Sequence, residues 1–305
     1  MNSKNSIQKS SASGGASIQN KTSFSSGLCI LNSEFFIIFV ILIFATGCSS
    51  FFFYPQKAHL DNPALNLVSH EDVYFMTPDG LKLHGWHLKA KDKSRGTILQ
   101  LHGNAENIST HVNSVLWLAL EGYDVFSFDY RGYGKSEGSP TLDGVHTDAR
   151  AALETVLKLP DINKERIFVL GQSLGGAIAV YTVANSPYKS HVKAVIIDSA
   201  FSSYRDIARE KLAQFVLTWP FQYPLSLLFN DDYSPVKWIK DVYPLPILII
   251  QGDQDIVVPA HHASILYEAA REPKQLWLVN GAEHIQSFAM KNIRERFLEY
   301  LQNIK

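Results

Sequence analysis

Cysteine is almost missing from this chain. Of its 305 residues only Cys29 and Cys48 carry a thiol, and both fall in the first fifty. The remainder therefore holds no disulfide framework, no cysteine-bound zinc and no cysteine nucleophile. Charge of one sign is missing too, since 28 Lys and Arg face 29 Asp and Glu. A grip on phosphate backbones needs a basic excess, so this balance argues against a nucleic-acid partner. There is no internal repeat. A composition of 46 % hydrophobic and 19 % charged residues excludes a wholly disordered or collagen-like chain.

Long hydrophobic runs are scarce, with one exception. Residues 1–34 are rich in Ser, Asn, Gly and Lys and have no apolar periodicity, which is the pattern of a polar leader. Eleven apolar residues, 35–45, follow without interruption. Lys4, Lys9 and Lys21 precede this run, and Ala45, Thr46 and Gly47 close it, the order of a secretory signal. Ala45-Thr46-Gly47-Cys48 resembles a bacterial lipobox. That resemblance implies cleavage before Cys48, lipidation of its thiol and export as a lipoprotein. The alternative is an uncleaved single-pass anchor. Residues 35–56 carry no charge, and a bilayer span takes about 20 residues. Either way the expected partner is a membrane. The expected layout is a leader with signal or anchor over 1–47, a linker over 48–67 and one domain over 68–305.

From about residue 71, strand-like and helix-like segments alternate. Strands are predicted at 71–76, 81–88, 96–101, 124–129, 166–170, 192–197, 246–251 and 274–279. Helical patterns lie near 107–120, 141–158, 174–185, 261–271 and 287–303. Runs such as Ile167-Phe168-Val169-Leu170 and Ile247-Leu248-Ile249-Ile250 are apolar throughout. A strand covered on both faces needs such a run, so the pattern predicts a doubly wound, mostly parallel α/β sheet flanked by helices. Residues 201–245 break the alternation with Trp219, Phe221, Tyr223 and Trp238, and with Pro220 and Pro224 against any long helix. They are read as a short lid, or as an ordinary helical connection with a packed aromatic face.

Gly171-Gln172-Ser173-Leu174-Gly175 stands between an apolar strand and a helical pattern. In that context a G-x-S-x-G string marks a sharp turn that presents the serine hydroxyl at the edge of the sheet. A serine hydroxyl is a weak nucleophile until a base takes its proton, and the base must be oriented by a carboxylate. The expected chain order is Ser, acid, His. His284, in the loop after the last strand, sits where ligands bind in open α/β sheets. His261 and His262 open a helix after Pro259 and are read as solvated first-turn residues. His102 precedes the serine and occupies a tight turn, which suits packing. Asp253 and Asp255 both follow the strand 246–251, and spacing favours Asp255, leaving Asp253 to cap the turn or face solvent. Oxyanion donors are expected from the amides of Leu174, next to the nucleophile, and Asn104, after Gly103.

Five stretches then occur in order. They are His102-Gly103-Asn104-Ala105; Asp129 to Ser136; Gly171 to Gly176; Gly252 with Asp255 and Val258-Pro259; and Gly281-Ala282-Glu283-His284. Together they resemble the small-lid α/β-hydrolases, the alpha/beta hydrolase domain-containing proteins related to serine aminopeptidase-type and acyl-protein thioesterase-type members. The resemblance spans roughly residues 68–303. It implies Ser173 as nucleophile, Asp255 as acid and His284 as base, with Asn104 and Leu174 as the oxyanion hole. Arg131 and Tyr133 it assigns to fold support. Gln251, where many relatives have His, is a departure expected to leave the mechanism untouched. The implied function is hydrolysis of an ester or thioester of a small or acylated substrate, with no metal or organic cofactor. A peptidase or a non-catalytic binding protein on the same scaffold are the alternatives. A dehalogenase or epoxide hydrolase would present Asp in place of Ser173. No residue pattern speaks to an oligomeric state.

Overall fold

The apolar runs form the centre of a sheet. In the computed structural model, which describes residues 51–304, the strands are β1 (Tyr54–Pro55), β2 (His70–Met76), β3 (Lys82–Leu88), β4 (Thr97–Leu101), β5 (Ala105–Glu106), β6 (Asp124–Asp129), β7 (Ile167–Gln172), β8 (Val192–Asp198), β9 (Ile247–Gly252) and β10 (Lys274–Val279). The helices are α1 (Ile108–His111), α2 (Leu116–Leu120), α3 (Leu142–Lys158), α4 (Leu174–Ala184), α5 (Tyr204–Ala213), α6 (Gln222–Ser226), α7 (Pro235–Trp238), α8 (His261–Ala269) and α9 (Lys291–Asn303). The leader, the apolar run 35–45 and Cys48 lie outside the described residues. Among the described residues no helix is long and apolar enough to cross a membrane.

Eight strands make one sheet in the order β10-β9-β8-β7-β4-β6-β3-β2. Only β3 runs against the others, pairing antiparallel with both β2 and β6. The expectation of a mostly parallel α/β sheet is met. Every residue of β7 and β9 is buried, as two covered faces require. At the edge, β10 buries only Trp277 and Val279.

Helix α4 lies against β7 and β8 and is buried almost throughout, which explains its apolar sequence without an exposed polar stripe. Helix α3 is amphipathic instead. The Thr141 hydroxyl accepts from the Gly144 amide at its start, and Asp143 and Lys158 suit the two ends of its dipole.

Topology places the site. From β4 the chain forms β6 on one side, then crosses to β7 on the other. Loops leaving β4 and β7 therefore diverge and open a crevice at the carboxyl ends of the strands.

Predicted strands match within one or two residues. Two differences matter. The stretch from Phe51 to Leu67, expected as linker, packs on the domain: Phe52, Phe53 and Leu65 are buried, and β1 pairs with β5. Two-residue strands carry no periodicity, so this pairing left no trace in the sequence. Region 201–245 is broken into short helices, α5 to α7, with Pro220 in a 3-10 turn (Trp219–Phe221), Pro224 within α6 and Pro235 opening α7.

Candidate active site

Register brings the first three groups together. Leu101 at the end of β4 is paired with Gly171 near the end of β7. His102-Gly103-Asn104 therefore lies beside Gln172-Ser173-Leu174. Ser173 sits at φ 54° and ψ −119°, a left-handed conformation that a non-glycine residue holds only under constraint from its surroundings. Its amide donates to the Asp198 carbonyl at 2.9 Å, tying the turn to β8. Gly175 makes the turn possible, because a side chain there would collide with the Leu101 carbonyl.

Ser173, Leu174 and Asn104 line one pocket of about 310 Å³. Leu174 opens helix α4, so its amide has no intrahelical acceptor and is free for an incoming oxygen. Tyr133 Oη donates to the Asn104 carbonyl at 2.6 Å, which fixes that peptide's orientation. Arg131 forks between Asp148 of α3 and Asp79 in the turn between β2 and β3.

A second register does the same for the acid and the histidine. Val279 of β10 is paired with Gly252 of β9, so the following loops run side by side. Asp255 Oδ2 accepts from His284 Nδ1 at 2.8 Å and from Gln251 Nε2 at 3.0 Å. Its Oδ1 accepts from the amides of Val257 and Val258 at 2.9 and 2.8 Å. Burial alone would raise the Asp255 carboxyl, but the bonds from His284, Val258 and Val257 outweigh it and hold the group below the usual carboxylate range. Asp253 is the exposed one, and its Oδ1 accepts from the Gly281 amide at 2.7 Å, a cap on the loop that carries His284.

His284 is bonded to Asp255, and the residue after it, Ile285, approaches the serine turn. A Cβ built on Gly103 would stand 3.7 Å from both Ser173 Cβ and Ile285 Cδ1, so one glycine separates the two segments. No hydrogen bond joins Ser173 Oγ to the imidazole among the described residues. Such bonds often tighten only when substrate is present.

Other sequence-derived expectations are sorted as follows. His102 is fully buried against His111, Tyr130 and Tyr133, and burial pushes its pKa down to about 3. It has the packing role expected. His262 needs a correction: it is fully buried, with Nδ1 facing Ser202 and Nε2 facing Glu210 of α5, and only His261 is solvated. The helix start hid this because its partner lies in the 201–245 region. Gln251 also does more than expected, since it donates directly to the acid.

Sequence reading missed a buried polar ladder under the site. Ser127 of β6 donates to Gln100 of β4 at 2.8 Å, Gln100 to Gln172 of β7 at 3.0 Å, and Gln172 to Asp198 Oδ2 at 3.1 Å. On the far side Asp198 Oδ1 faces the hydroxyls of Ser199 and Ser287 at 3.4 and 3.3 Å. Ser199 Oγ in turn accepts from the Ile285 amide at 3.1 Å, next to His284. Ser199 and Ile285 both hold positive φ, 56° and 58°. One signal for the ladder was available: Gln100, Gln172 and Asp198 are polar residues at the ends of otherwise apolar strands.

Burial raises the Asp198 carboxyl to about 6, against the weaker opposing pull of Gln172 and a charged His284. A raised carboxyl favours the fold least when ionised, so its cost is absent below pH 3.8, grows through about 6 and is constant above. Asp198→Asn is expected to gain up to about 3 kcal/mol at pH 8, because Asn can accept from Gln172 and donate to the two serines. Thermal unfolding should show a rise of about 5–10 °C at pH 8 that shrinks to nothing near pH 4. A shift of equal size at both pH values would contradict this origin.

Two groups of side chains among the described residues could hold a metal ion: His59, His84 and Asp129, and Glu210, His261 and His262. Neither lines the serine pocket. Hydrogen bonds already occupy most of their atoms; buried His84 Nδ1 makes none and lies 3.7 Å from Asp129 Oδ2.

Strand order, crossover and the turn at Ser173 define an α/β-hydrolase. A family model described as serine aminopeptidase, S33, matches residues 92–241. The Escherichia coli K12 protein YfhR is 34 % identical over 280 residues, 89 % of this chain and 93 % of its own length. The alpha/beta hydrolase domain-containing protein WAV2 of Arabidopsis thaliana is 37 % identical over 72 % of this chain and 73 % of its own. Among solved structures, an esterase of Pyrococcus furiosus superposes with a TM-score of 0.66 at 24 % identity, covering 82 % of this chain and 97 % of that one, a likeness of fold. The chain belongs to the α/β-hydrolase family. It is a hydrolase.

Proposed function

We propose that the protein is a serine hydrolase of carboxylic esters or thioesters that works through an acyl-enzyme. The observation that carries this reading is the bonded pair of His284 and Asp255, together with the constrained turn at Ser173. Ser173 Oγ attacks the acyl carbonyl while His284 Nε2 takes its proton. Asp255 holds the imidazole tautomer and offsets the positive charge that forms. The amides of Asn104 and Leu174 receive the oxyanion. As the C–O or C–S bond breaks, His284 returns the proton to the leaving group. Water, deprotonated by the same imidazole, then attacks the acyl-enzyme and releases the acid and free serine.

The pocket favours an acyl chain over an amino terminus. Phe52, Phe201, Ile207, Phe215 and Val258 line it, and its one charged lining residue is the cation Lys211. An aminopeptidase needs a carboxylate to receive the substrate ammonium, and the described lining has none. Short p-nitrophenyl esters should therefore turn over at least about 100-fold faster, in kcat/KM, than aminoacyl p-nitroanilides, a difference of about 2.7 kcal/mol. Equal rates, or a preference for the anilides, would favour a peptidase.

The leader supports a second part of the proposal: the domain is tethered to a membrane, by a lipid on Cys48 or, in the alternative, by an uncleaved apolar segment. A mass spectrum of the mature N-terminus separates the two, and an intact Met1 end rejects lipidation.

A further inference from the structure

Single exposed apolar side chains are common on any surface, whereas a contiguous apolar patch marks an interaction site. Three separate segments build such a patch around the serine pocket. After α5 the chain runs Phe215-Val216-Leu217-Thr218-Trp219, with Val216 and Leu217 exposed by 89 % and 87 % and both aromatics exposed. In the loop after β9, Ile256 is 85 % exposed, beside the exposed Val257. From the N-terminal side comes exposed Tyr54. One residue of each segment, Phe215, Val257 and Tyr54, also lines the pocket. The apolar rim and the apolar pocket wall are thus one surface.

The occupant is indicated by the chain ahead of the structure. Phe51 and Phe52 line the same pocket. The uncharged apolar run 35–45 is separated from them by five residues in the sequence. An apolar run suited to lipid therefore precedes the pocket-lining Phe51 and Phe52 closely in the sequence.

We propose that this rim is a membrane-docking face. Val216, Leu217, Trp219 and Ile256 enter the acyl region of a bilayer, and the pocket opens toward it, so that the substrate is an acyl ester drawn from the membrane. The substrate part rests on the serine-hydrolase reading above; the docking part does not. Of the five tryptophans, Trp219 is the exposed one, with Trp86, Trp117 and Trp277 buried and Trp238 half-buried, so it reports on the rim alone.

The test uses the full chain on phosphatidylcholine–phosphatidylglycerol vesicles whose acyl chains carry bromine, a quencher of indole. Emission should be quenched in the wild type and not in Trp219→Phe. In Val216→Glu/Leu217→Glu, hydrolysis of a vesicle-borne p-nitrophenyl ester should fall at least ~10-fold relative to soluble p-nitrophenyl acetate, because two aliphatic side chains no longer leave water. Acetate turnover itself should stay unchanged, since neither residue lines the pocket. Unquenched Trp219 on vesicle-bound protein would overturn the proposal, and so would an unchanged vesicle-to-acetate ratio in the double variant. Protection of Trp219 from iodide without vesicles would show the rim covered by the leader or a second copy, and would overturn it too. Quenching together with failure to hydrolyse either ester would sink the serine-hydrolase reading and leave the docking face standing.

Discussion

Ser173→Ala is expected to lower kcat for a short p-nitrophenyl ester by at least about 10⁴-fold, with KM little changed. The hydroxyl is the only group removed. Alanine keeps the Cβ, so the constraint at φ 54° and the bond from the amide to the Asp198 carbonyl persist. Melting temperature should stay close to that of the wild type, which makes the loss chemical and not structural. What remains should be the contribution of the oxyanion donors and binding, about 10³-fold or more over water in comparable sites. A variant that hydrolyses the ester at the wild-type rate would reject Ser173 as nucleophile.

Replacing the acid should cost nearly as much. Asp255→Asn is expected to lower kcat about 10⁴-fold, whereas Asp253→Asn should change it less than about 10-fold. In the wild type both carboxylate oxygens accept hydrogen bonds, two on each. Asparagine can keep the pair from Val257 and Val258 only by turning its NH₂ toward His284 and Gln251. The imidazole then has to accept at Nδ1, and Nε2 carries the proton it should be taking. Asp253 touches only the Gly281 amide, so its loss loosens a loop and leaves the tautomer alone. Equal losses in the two variants would mean that the pair acts through the loop and not through the proton.

Much of the fold was legible because it is written in uninterrupted apolar runs. β7 and β9 had to be buried on both faces, and they are. The turn at Ser173 was legible for a similar reason, since its glycines stand where side chains would strike backbone. Long-range pairings were harder. Gln251 next to Asp255, and His262 next to Glu210, depend on which loops lie side by side, and periodicity does not report that. The segment from Phe51 to Pro55 was the plainest miss. Its aromatic run reads equally well as the end of an apolar anchor, and only tertiary packing reveals that Phe51 and Phe52 belong to the body. The Asp198 ladder escaped because its members are isolated polar residues on four different strands, and only strand order brings them into line.

The most direct measurement is covalent. Incubated with a fluorophosphonate, the full chain should take up one phosphonyl group, and peptide mass spectrometry should find it on Ser173. His284→Gln should acquire it far more slowly, because the hydroxyl then has no base. A phosphonyl group on a different residue, or none on the folded protein, would contradict the account.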